Sequence, residues 1–400
     1  MKVIQNARVL SPSGKIQAGL AVLFDRKIVE VGKNIEIPSQ AEIIDAEDCY
    51  LSPGLIDCHS HLGLFEDGAG QEYADGNELT DPVTPALRAI DAVNPRDRAF
   101  HEALRGGITA IGLFPGSGNV IGGQGATMKT FAPRGLVSDI VLDPFMGMKM
   151  ALGENPIRVY RNAKRSPTTR MAEAALIREA LIKTQDYLSK REKAQIKENT
   201  EKCPEKNLGW EALAKVLDRT VPACIHAHRG QDLETAIRLS EEFEFRLILE
   251  HASEAHRIID LLKETKTPCV LGPTFNFRTK LETREKTFDT HKLLFEYKIP
   301  FAITLDHPVI PLWFLNVAAG LAVRDSLPEA AAFKAITTAP AEFLGQDDRL
   351  GQITPGFDAD LVLWDGHPLQ SMSRTKLVFV EGQLAYDRKA DTGPDWIWYS

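Results

Sequence analysis

Residues 53–63 read PGLIDCHSHLG, a short apolar run that ends in two histidines separated by one residue. In a β-strand, residues two apart point to the same face, so His59 and His61 can both reach one metal ion from the end of one strand. Asp57 lies two residues before His59, so its side chain points to the same face of the strand. A carboxylate beside metal-binding imidazoles commonly orients them. Two histidines at this spacing also occur by chance on a solvated surface, so the flanking residues must decide between the two interpretations.

The flanking residues form a longer motif. Pro53 and Gly54 precede the apolar run and Gly63 follows the histidines, giving PGxxDxHxHxG, which resembles the first-strand metal motif of the amidohydrolase superfamily. Residues 351–364, GQITPGFDADLVLW, are similar to the closing signature of that family. The resemblance covers nearly the whole chain and is strongest to the imidazolonepropionase-related branch.

Composition bounds the remaining possibilities. A chain of 400 residues is longer than a domain with one hydrophobic core usually is, so we expect a large domain and a smaller one. The net charge of -8 and pI near 5.8 disfavour nucleic-acid binding. We find no apolar run of about 18 residues for a membrane span and no secretory h-region near the N-terminus. Five cysteines without a CxxC pair indicate reduced thiols. We therefore expect a cytoplasmic protein, a homo-oligomer, that acts on a small molecule.

Both ends of the chain show strand patterns. Residues 1–50 alternate apolar and polar side chains between turn residues, and residues 356–364 and 380–387 do the same. Neither piece makes enough sheet to be stable alone. We predict one composite β-sandwich domain from residues 1–52 and 344–400, which the family resemblance also implies.

The middle of the chain, residues 53–343, alternates strands and helices. Strand-like runs end at Ser60, His228, His251 and Asp306, and near residues 114, 130, 149 and 272. Helical patterns cover residues 95–107, 168–190, 232–243, 255–265 and 327–337, and the charge-rich residues 191–207 suggest a solvated helix end and a loop. The pattern predicts an α/β fold with a (β/α)8 TIM barrel, whose active site lies at the carboxyl ends of the strands.

Candidate metal ligands fall at those strand ends. His226 and His228 are two apart on one strand, and His251 directly follows another apolar run. Each histidine alone is more often a surface or hydrogen-bonded residue than a ligand. The resemblance implies that His226 is the fifth-strand ligand and His251 the sixth-strand ligand, with His228 placed further out, against the substrate or closing the site.

A bridging ligand is expected from the fourth strand. Lys149 ends an apolar run, and burial among hydrophobic and metal groups would favour its neutral amine, which CO₂ can convert to a carbamate. The resemblance implies such a carboxylated lysine in a binuclear centre. A lysine that extends to the surface is the alternative, and Glu154 is the rival bridging ligand.

Asp306 ends the last apolar run of the barrel. The resemblance implies that this aspartate binds one metal and carries the proton of the attacking water; a turn before Pro308 is the simpler alternative. We expect one or two divalent ions per chain. Zn²⁺ suits these ligands best, and manganese, iron or nickel also fit them.

Residues that contact the substrate are harder to predict. The glycine-rich residues 114–125 lack GK[ST] and GxGxxG, so they are expected to form a substrate wall with Asn119 and Gln124 as hydrogen-bond donors. The long polar segment 66–91 is expected to cover the site. Arg278 and Lys280 either hold a substrate carboxylate or are solvated.

The resulting functional hypothesis is an amidohydrolase that hydrolyses a C–N bond in an amide, a cyclic amide or imide, or a dipeptide. Narrower alternatives are imidazolonepropionase and Xaa-Pro or Xaa-Arg dipeptidase. The HAH of residues 226–228 departs from the HAD or HAE of imidazolonepropionase. N-acetylglucosamine-6-phosphate deacetylase would require a phosphate grip that we do not find. A non-catalytic assembly homologue is disfavoured by the intact ligand set.

Overall fold

The computed structural model describes residues 1–11, 13–196 and 203–391. Eight strands form a barrel sheet in the order β13-β12-β11-β10-β9-β8-β7-β6. Their bounds are β6 Leu55–Ser60, β7 Ile108–Leu113, β8 Ile121–Lys129, β9 Val141–Ala151, β10 Ala223–Ala227, β11 Leu247–His251, β12 Cys269–Leu271 and β13 Phe301–Ile303. The predicted barrel is therefore present, in a mixed α/β fold.

The third barrel strand departs from the prediction of eight parallel strands. β8 pairs antiparallel with both β7 and β9, whereas the other barrel pairings are parallel. The connection of residues 114–120 between β7 and β8 is too short for the crossover that a parallel pair needs. The prediction was wrong here because the alternation of side chains does not report strand direction.

The barrel closes between its first and last strands through side chains. The backbone N–H groups of Leu305 and His59 donate to the carboxylate of Asp57, at 2.9 and 3.0 Å, and Thr304 Oγ1 donates to the carbonyl oxygen of His59 at 2.7 Å. Burial raises the pKa of Asp57 to about 7. Asp57 thus fixes the backbone at this seam and does not contact the imidazoles it was expected to orient.

Steric constraints explain the glycines of the first motif. A Cβ atom on Gly54 would lie 1.9 Å from Thr109 Oγ1, so only glycine lets β6 approach β7 this closely. Gly63 has a φ of 73°, a left-handed conformation that glycine adopts without strain. The chain therefore turns sharply just after His61, directly at the end of the strand.

A second sheet contains strands from both ends of the chain. It pairs in the order β16-β15-β14-β5-β1-β2-β3, with β4 beside β1. The bounds are β1 Lys2–Leu10, β2 Ile16–Phe24, β3 Ile28–Gly32, β4 Glu42–Asp45, β5 Tyr50–Pro53, β14 Leu361–Trp364, β15 Thr375–Val380 and β16 Gln383–Asp387. All eight strands belong to one hydrogen-bonded sheet, so the two-layer sandwich stays a prediction.

This sheet uses its two faces differently. Leu361 and Leu363 of β14 pack in a core with residues from the N-terminal strands, whereas Val362 and Trp364 pack in the main core with the barrel. Such alternation is the period-two pattern of a strand covered on both sides. The terminal sheet is therefore packed against the barrel as well as on itself.

A buried ion cluster also joins the sheet to the barrel. Lys129, the last residue of β8, donates to Asp358 at 2.9 Å and to Asp360 at 2.7 Å. The side chains of all three residues are at most 5% exposed. The DAD residues of the closing signature are thus partners of a barrel lysine.

Helices cover the outside of the barrel. Their bounds are α1 Arg98–Arg105, α2 Glu154–Asn162, α3 Arg170–Ile196, α4 Leu208–Leu217, α5 Gly230–Phe243, α6 Ile259–Thr265, α7 Asp289–Glu296, α8 Leu315–Arg324, α9 Glu329–Lys334 and α10 Thr338–Phe343. Of the charge-rich residues 191–207, the first six extend α3, and residues 197–202 lie outside the described part of the chain. Among the described helices, none combines the length and the apolar character needed to cross a membrane.

Candidate metal centre

The carboxyl ends of the barrel strands bring the predicted histidines and Asp306 into two groups. One group is His59, His61 and Asp306, and the other is His226, His228 and His251. Within each group the potential ligand atoms lie within 4.8 Å of one another. This separation matches what several donors around one ion require, and all of these side chains are buried or nearly so.

Asp306 holds the first group together. Its Oδ1 lies 3.5 Å from His59 Nε2 and 3.2 Å from His61 Nε2. Burial alone would raise the pKa of Asp306, but the imidazoles of His251, His59 and His61 hold it well below its ordinary value. The carboxylate is therefore ionised and directed at the two histidines of the HxH motif.

Two candidate ligands have an unusual backbone. His251 has a φ of 69° and Asp306 a φ of 55°, in the left-handed region that non-glycine residues seldom adopt. Strain of this kind persists where the surrounding structure enforces it, most often at functional sites. Both residues lie where a strand gives way to a loop, and the turn directs their side chains into the barrel mouth.

The second group is kept neutral by burial. Burial lowers the pKa values of His226 and His251 well below the ordinary histidine value and lowers that of His228 to about 3. A histidine must be unprotonated at the ligating nitrogen to bind metal, so this environment favours metal binding. His228 was expected further out; the structure instead places it among the possible ligands.

Hydrogen bonds fix the orientation of several imidazoles. His61 Nδ1 lies 2.7 Å from the carbonyl oxygen of Phe114, and His251 Nδ1 lies 2.8 Å from that of Gly272. A carbonyl only accepts, so each Nδ1 must carry the proton and each Nε2 has a free lone pair. This is the usual arrangement of metal-binding histidines.

Lys149 lies among these donors. Its side chain is fully buried, and its Nζ is 3.3 Å from His59 Nε2. Burial lowers the pKa of Lys149, although the charges of Glu250 and Asp306 oppose that effect. A neutral amine at this position is the form that can react with CO₂.

Glu154, the rival bridging residue, is used elsewhere. Its Oε1 accepts the N–H of Glu282 at 3.1 Å, and its own N–H donates to Glu282 Oε2 at 2.9 Å. This reciprocal pair joins the start of α2 to the loop after β12. Of the two predicted bridging groups, the structure brings only Lys149 to the imidazoles.

Two predicted substrate-binding residues hold a loop instead. Asn119 Nδ2 donates to the carbonyl oxygens of Glu78 and Asp81, at 2.5 and 2.8 Å, and the side chain is 1% exposed. Gln124 Nε2 donates to the carbonyl oxygen of Pro85 at 3.2 Å. Their amide hydrogens therefore fasten the long segment after β6 to the barrel, a role the sequence did not indicate.

The two cations after β12 differ in position. Arg278 is exposed and donates to the carbonyl oxygen of Lys286, within its own loop. Lys280 Nζ donates to Asn155 Oδ1 at 2.6 Å, and Asn155 Nδ2 lies 3.4 Å from His226 Nε2. Lys280, not Arg278, is therefore next to the candidate ligands.

Sequence reasoning missed Asn155, Glu282 and Glu250. Glu282 is fully buried, with Oε1 3.5 Å from Lys280 Nζ and 3.9 Å from His228 Nε2. Glu250 has Oε2 3.0 Å from His59 Nδ1. A charged residue inside the apolar run LILEH was the signal for Glu250; no pattern marks the other two.

The donor set fits a divalent cation. Imidazole nitrogens with a carboxylate oxygen suit zinc, and they also accommodate manganese, iron or nickel. Among the described residues, His226 Nδ1 is a buried ring nitrogen without a hydrogen-bond partner. The chemistry and spacing of the residues thus agree with metal binding.

Comparisons with known proteins identify the family. The amidohydrolase family model matches residues 50–385. The crystal structure of an amidohydrolase from Thermotoga maritima is 43% identical with a TM-score of 0.94, over 97% of this chain and 100% of that one. The chain belongs to the amidohydrolase family.

Two relatives show how far the similarity extends. Amidohydrolase tasK of Hapsidospora irregularis is 32% identical over 93% of this chain, which spans only 39% of that protein. Imidazolonepropionase of Vibrio cholerae is 25% identical over 92% of this chain and 93% of its own length. The resemblance to the imidazolonepropionase-related branch therefore extends along most of the chain.

Proposed function

We propose that the protein is a metal-dependent amidohydrolase that uses a metal-activated hydroxide to cleave a C–N bond in an amide, a cyclic amide or imide, or a dipeptide. The observation that carries this proposal is the meeting of two buried donor groups at the carboxyl ends of the barrel strands, with Lys149 beside one of them. Membership of the amidohydrolase family supports it.

Each residue has a proposed role. His59, His61 and Asp306 would hold one divalent ion, and His226 and His251, with His228 beside them, would hold a second. Lys149, converted to a carbamate by CO₂ with loss of a proton, would join the two groups. Zn²⁺ is the proposed metal, and a bound ion supplies Lewis acidity and hydroxide near neutral pH.

Asp306 is the proposed proton carrier. Its carboxylate is ionised and lies at hydrogen-bond reach of the HxH motif, where it can accept the proton of the attacking water. It then delivers that proton to the departing nitrogen. Its side chain is 15% exposed, so it has access to a substrate at the barrel mouth.

Lys280 is the proposed anchor for a substrate carboxylate. It is 28% exposed and bonded to Asn155, which contacts His226, so its charge lies at the edge of the donor groups. N-acyl amino acids and dipeptides carry a carboxylate near the scissile bond. This arrangement favours them over uncharged amides.

We further propose the domain division 1–52 with 344–400 against 53–343. A separate core cluster supports it, because its buried members come only from those terminal ranges. All five cysteines are free, which supports the proposed cytoplasmic location. A homo-oligomer stays a prediction.

The test is a substrate panel with matched variants. N-acyl amino acids, Xaa-Pro and Xaa-Arg dipeptides, imidazolone propionate, cyclic imides and hydantoins are offered to wild type and Asp306→Asn. We expect wild type to hydrolyse at least one of these substrates. In Asp306→Asn, kcat/KM for that substrate should be at least ~100-fold lower, which is the low end of the effect of a positioned general base. Equal turnover by both proteins would show that Asp306 is not the proton carrier.

The carboxylate anchor is tested on the best substrate. Lys280→Met should raise KM at least ~10-fold, the equivalent of one charge-assisted hydrogen bond, and an analogue without the carboxylate should show no such change. Arg278→Met, a neighbouring cation bonded within its own loop, is the control and should leave KM unchanged. If the two variants behave alike, Lys280 is not the anchor.

A further inference from the structure

An acidic residue lies in the barrel interior beneath the metal centre. Glu250 of β11 is 1% exposed and stands opposite His226 in the strand register. Two positions back along the same face, Ile248 packs with Cys58, Cys224 and other apolar residues of the interior cluster. A carboxylate surrounded in this way costs several kcal/mol unless a specific partner compensates it.

One partner within reach is the first histidine of the HxH motif. Glu250 Oε2 lies 3.0 Å from His59 Nδ1, and both side chains are essentially inaccessible to solvent. Within the described residues, neither atom has a hydrogen-bond partner, so their approach to 3.0 Å is an ion-pair contact between two otherwise unpaired buried atoms.

The other histidines are oriented differently. His61 and His251 direct Nδ1 at the neutral carbonyl oxygens of Phe114 and Gly272. Asp57, the acid nearest in sequence, accepts backbone N–H groups instead. Glu250 therefore has the position that the sequence suggested for Asp57, but it reaches His59 from another strand, β11.

We propose that Glu250 is a positioning residue that takes the Nδ1 hydrogen of His59 and so leaves Nε2 as the metal-directed donor atom. The negative charge also strengthens the imidazole as a donor. The part of this role that concerns metal binding rests on the proposed function. The orientation of His59 can be tested in the metal-free protein.

Two substitutions separate geometry from charge. Glu250→Met removes both the charge and the acceptor at similar volume, whereas Glu250→Gln keeps an acceptor oxygen. We expect metal affinity, measured by competition with a chromogenic zinc chelator, to fall 10–100-fold in the Met variant and less in the Gln variant. Partial rescue by Gln is a result that a space-filling role would not produce.

Stability provides a second readout. Removing one partner of a buried pair leaves the other unpaired, so metal-free Glu250→Met should unfold at a lower urea concentration than wild type, and Glu250→Gln, which keeps an acceptor oxygen, should lose less. Glu102 is the control: it is 4% exposed and bonded to Arg98, so Glu102→Met should lower stability without changing metal affinity. A Glu250→Met variant that loses stability but keeps the metal affinity of wild type would overturn the positioning role.

A double-mutant cycle shows whether the effect passes through His59. In a His59→Gln background, Glu250→Met should cause no further loss of metal affinity, because its partner is already absent. In a His61→Gln background it should cause its full loss. Equal effects in both backgrounds would contradict a specific contact with His59.

Nitrogen NMR of histidine-labelled, metal-free protein separates the inference about Glu250 from the proposed metal-dependent function. The His59 Nδ1 signal should be that of a protonated nitrogen in wild type and Glu250→Gln, and should change in Glu250→Met. An unchanged signal overturns the inference about Glu250. A wild type with the expected signal that binds no divalent ion overturns the metal-dependent function and leaves the inference about orientation standing.

Discussion

Replacing Lys129 by methionine should destabilise the protein far more than an ordinary surface change. Lys129 is 3% exposed and bonds to both Asp358 and Asp360, at 2.9 and 2.7 Å. Without it, Asp358 keeps Arg349 at 2.6 Å, whereas the hydrogen bond that remains to the side chain of Asp360 among the described residues is the one from the N–H of Glu381 at 2.9 Å. Breaking a buried ion pair by removing one partner typically costs about 3–5 kcal/mol. Stability of a domain is about 5–15 kcal/mol, so the loss would be large.

Urea unfolding followed by tryptophan fluorescence measures this cost. Trp364 is 1% exposed in the strand next to the cluster and donates to Ser52 Oγ, so it reports the junction between sheet and barrel. Lys376→Met is the matched control, because Lys376 pairs with the exposed Glu47 and should cost at most about 1 kcal/mol. Adding Asp360→Asn to Lys129→Met should recover part of the loss. If Lys129→Met costs no more than the control, the cluster does not hold the sheet to the barrel.

Two further predictions concern the terminal sheet and a buried acid. Deleting residues 345–400 should leave an unfolded or aggregated chain, because it removes β14 to β16 and the partners of Lys129; a truncated protein with full activity and an unchanged melting temperature would refute the split domain. Burial raises the pKa of Glu173 to about 8, from an ordinary 4.5, so the stability this residue contributes at low pH is lost as pH rises through that window. Wild type should therefore lose up to about 1.4 kcal/mol per pH unit relative to Glu173→Gln between those values, measured by urea unfolding at each pH; parallel stability curves would contradict this.

Much of the fold could be predicted because strand ends carry strong local signals. His61 directly follows β6, His251 is the last residue of β11, and Asp306 follows shortly after β13. Each local pattern therefore marked the end of a barrel strand. The composite sheet was also predictable, since neither end of the chain has enough strands alone. The direction of β8 was not read correctly, although the short connection of residues 114–120 contained that information.

Less of the candidate site could be predicted from the sequence, because its contacts join residues that are far apart in the chain. Glu250 is adjacent to His251 in the chain, yet its partner His59 comes from another strand. Asn119 lies in the connection before β8 and Gln124 lies in β8 itself. Their side chains could face either the substrate or the neighbouring segment, and only the fold shows that they bond to the segment after β6. Local patterns therefore indicated the candidate ligands better than the residues that surround them.

Metal content per chain tests the central claim most directly. Protein purified without chelators and with bicarbonate should contain close to two divalent ions per chain by elemental analysis. Lys149→Met should hold fewer, because the proposed bridging carbamate cannot form. A single tightly held ion in wild type, unaffected by added metal or bicarbonate and unchanged in Lys149→Met, would contradict the binuclear centre.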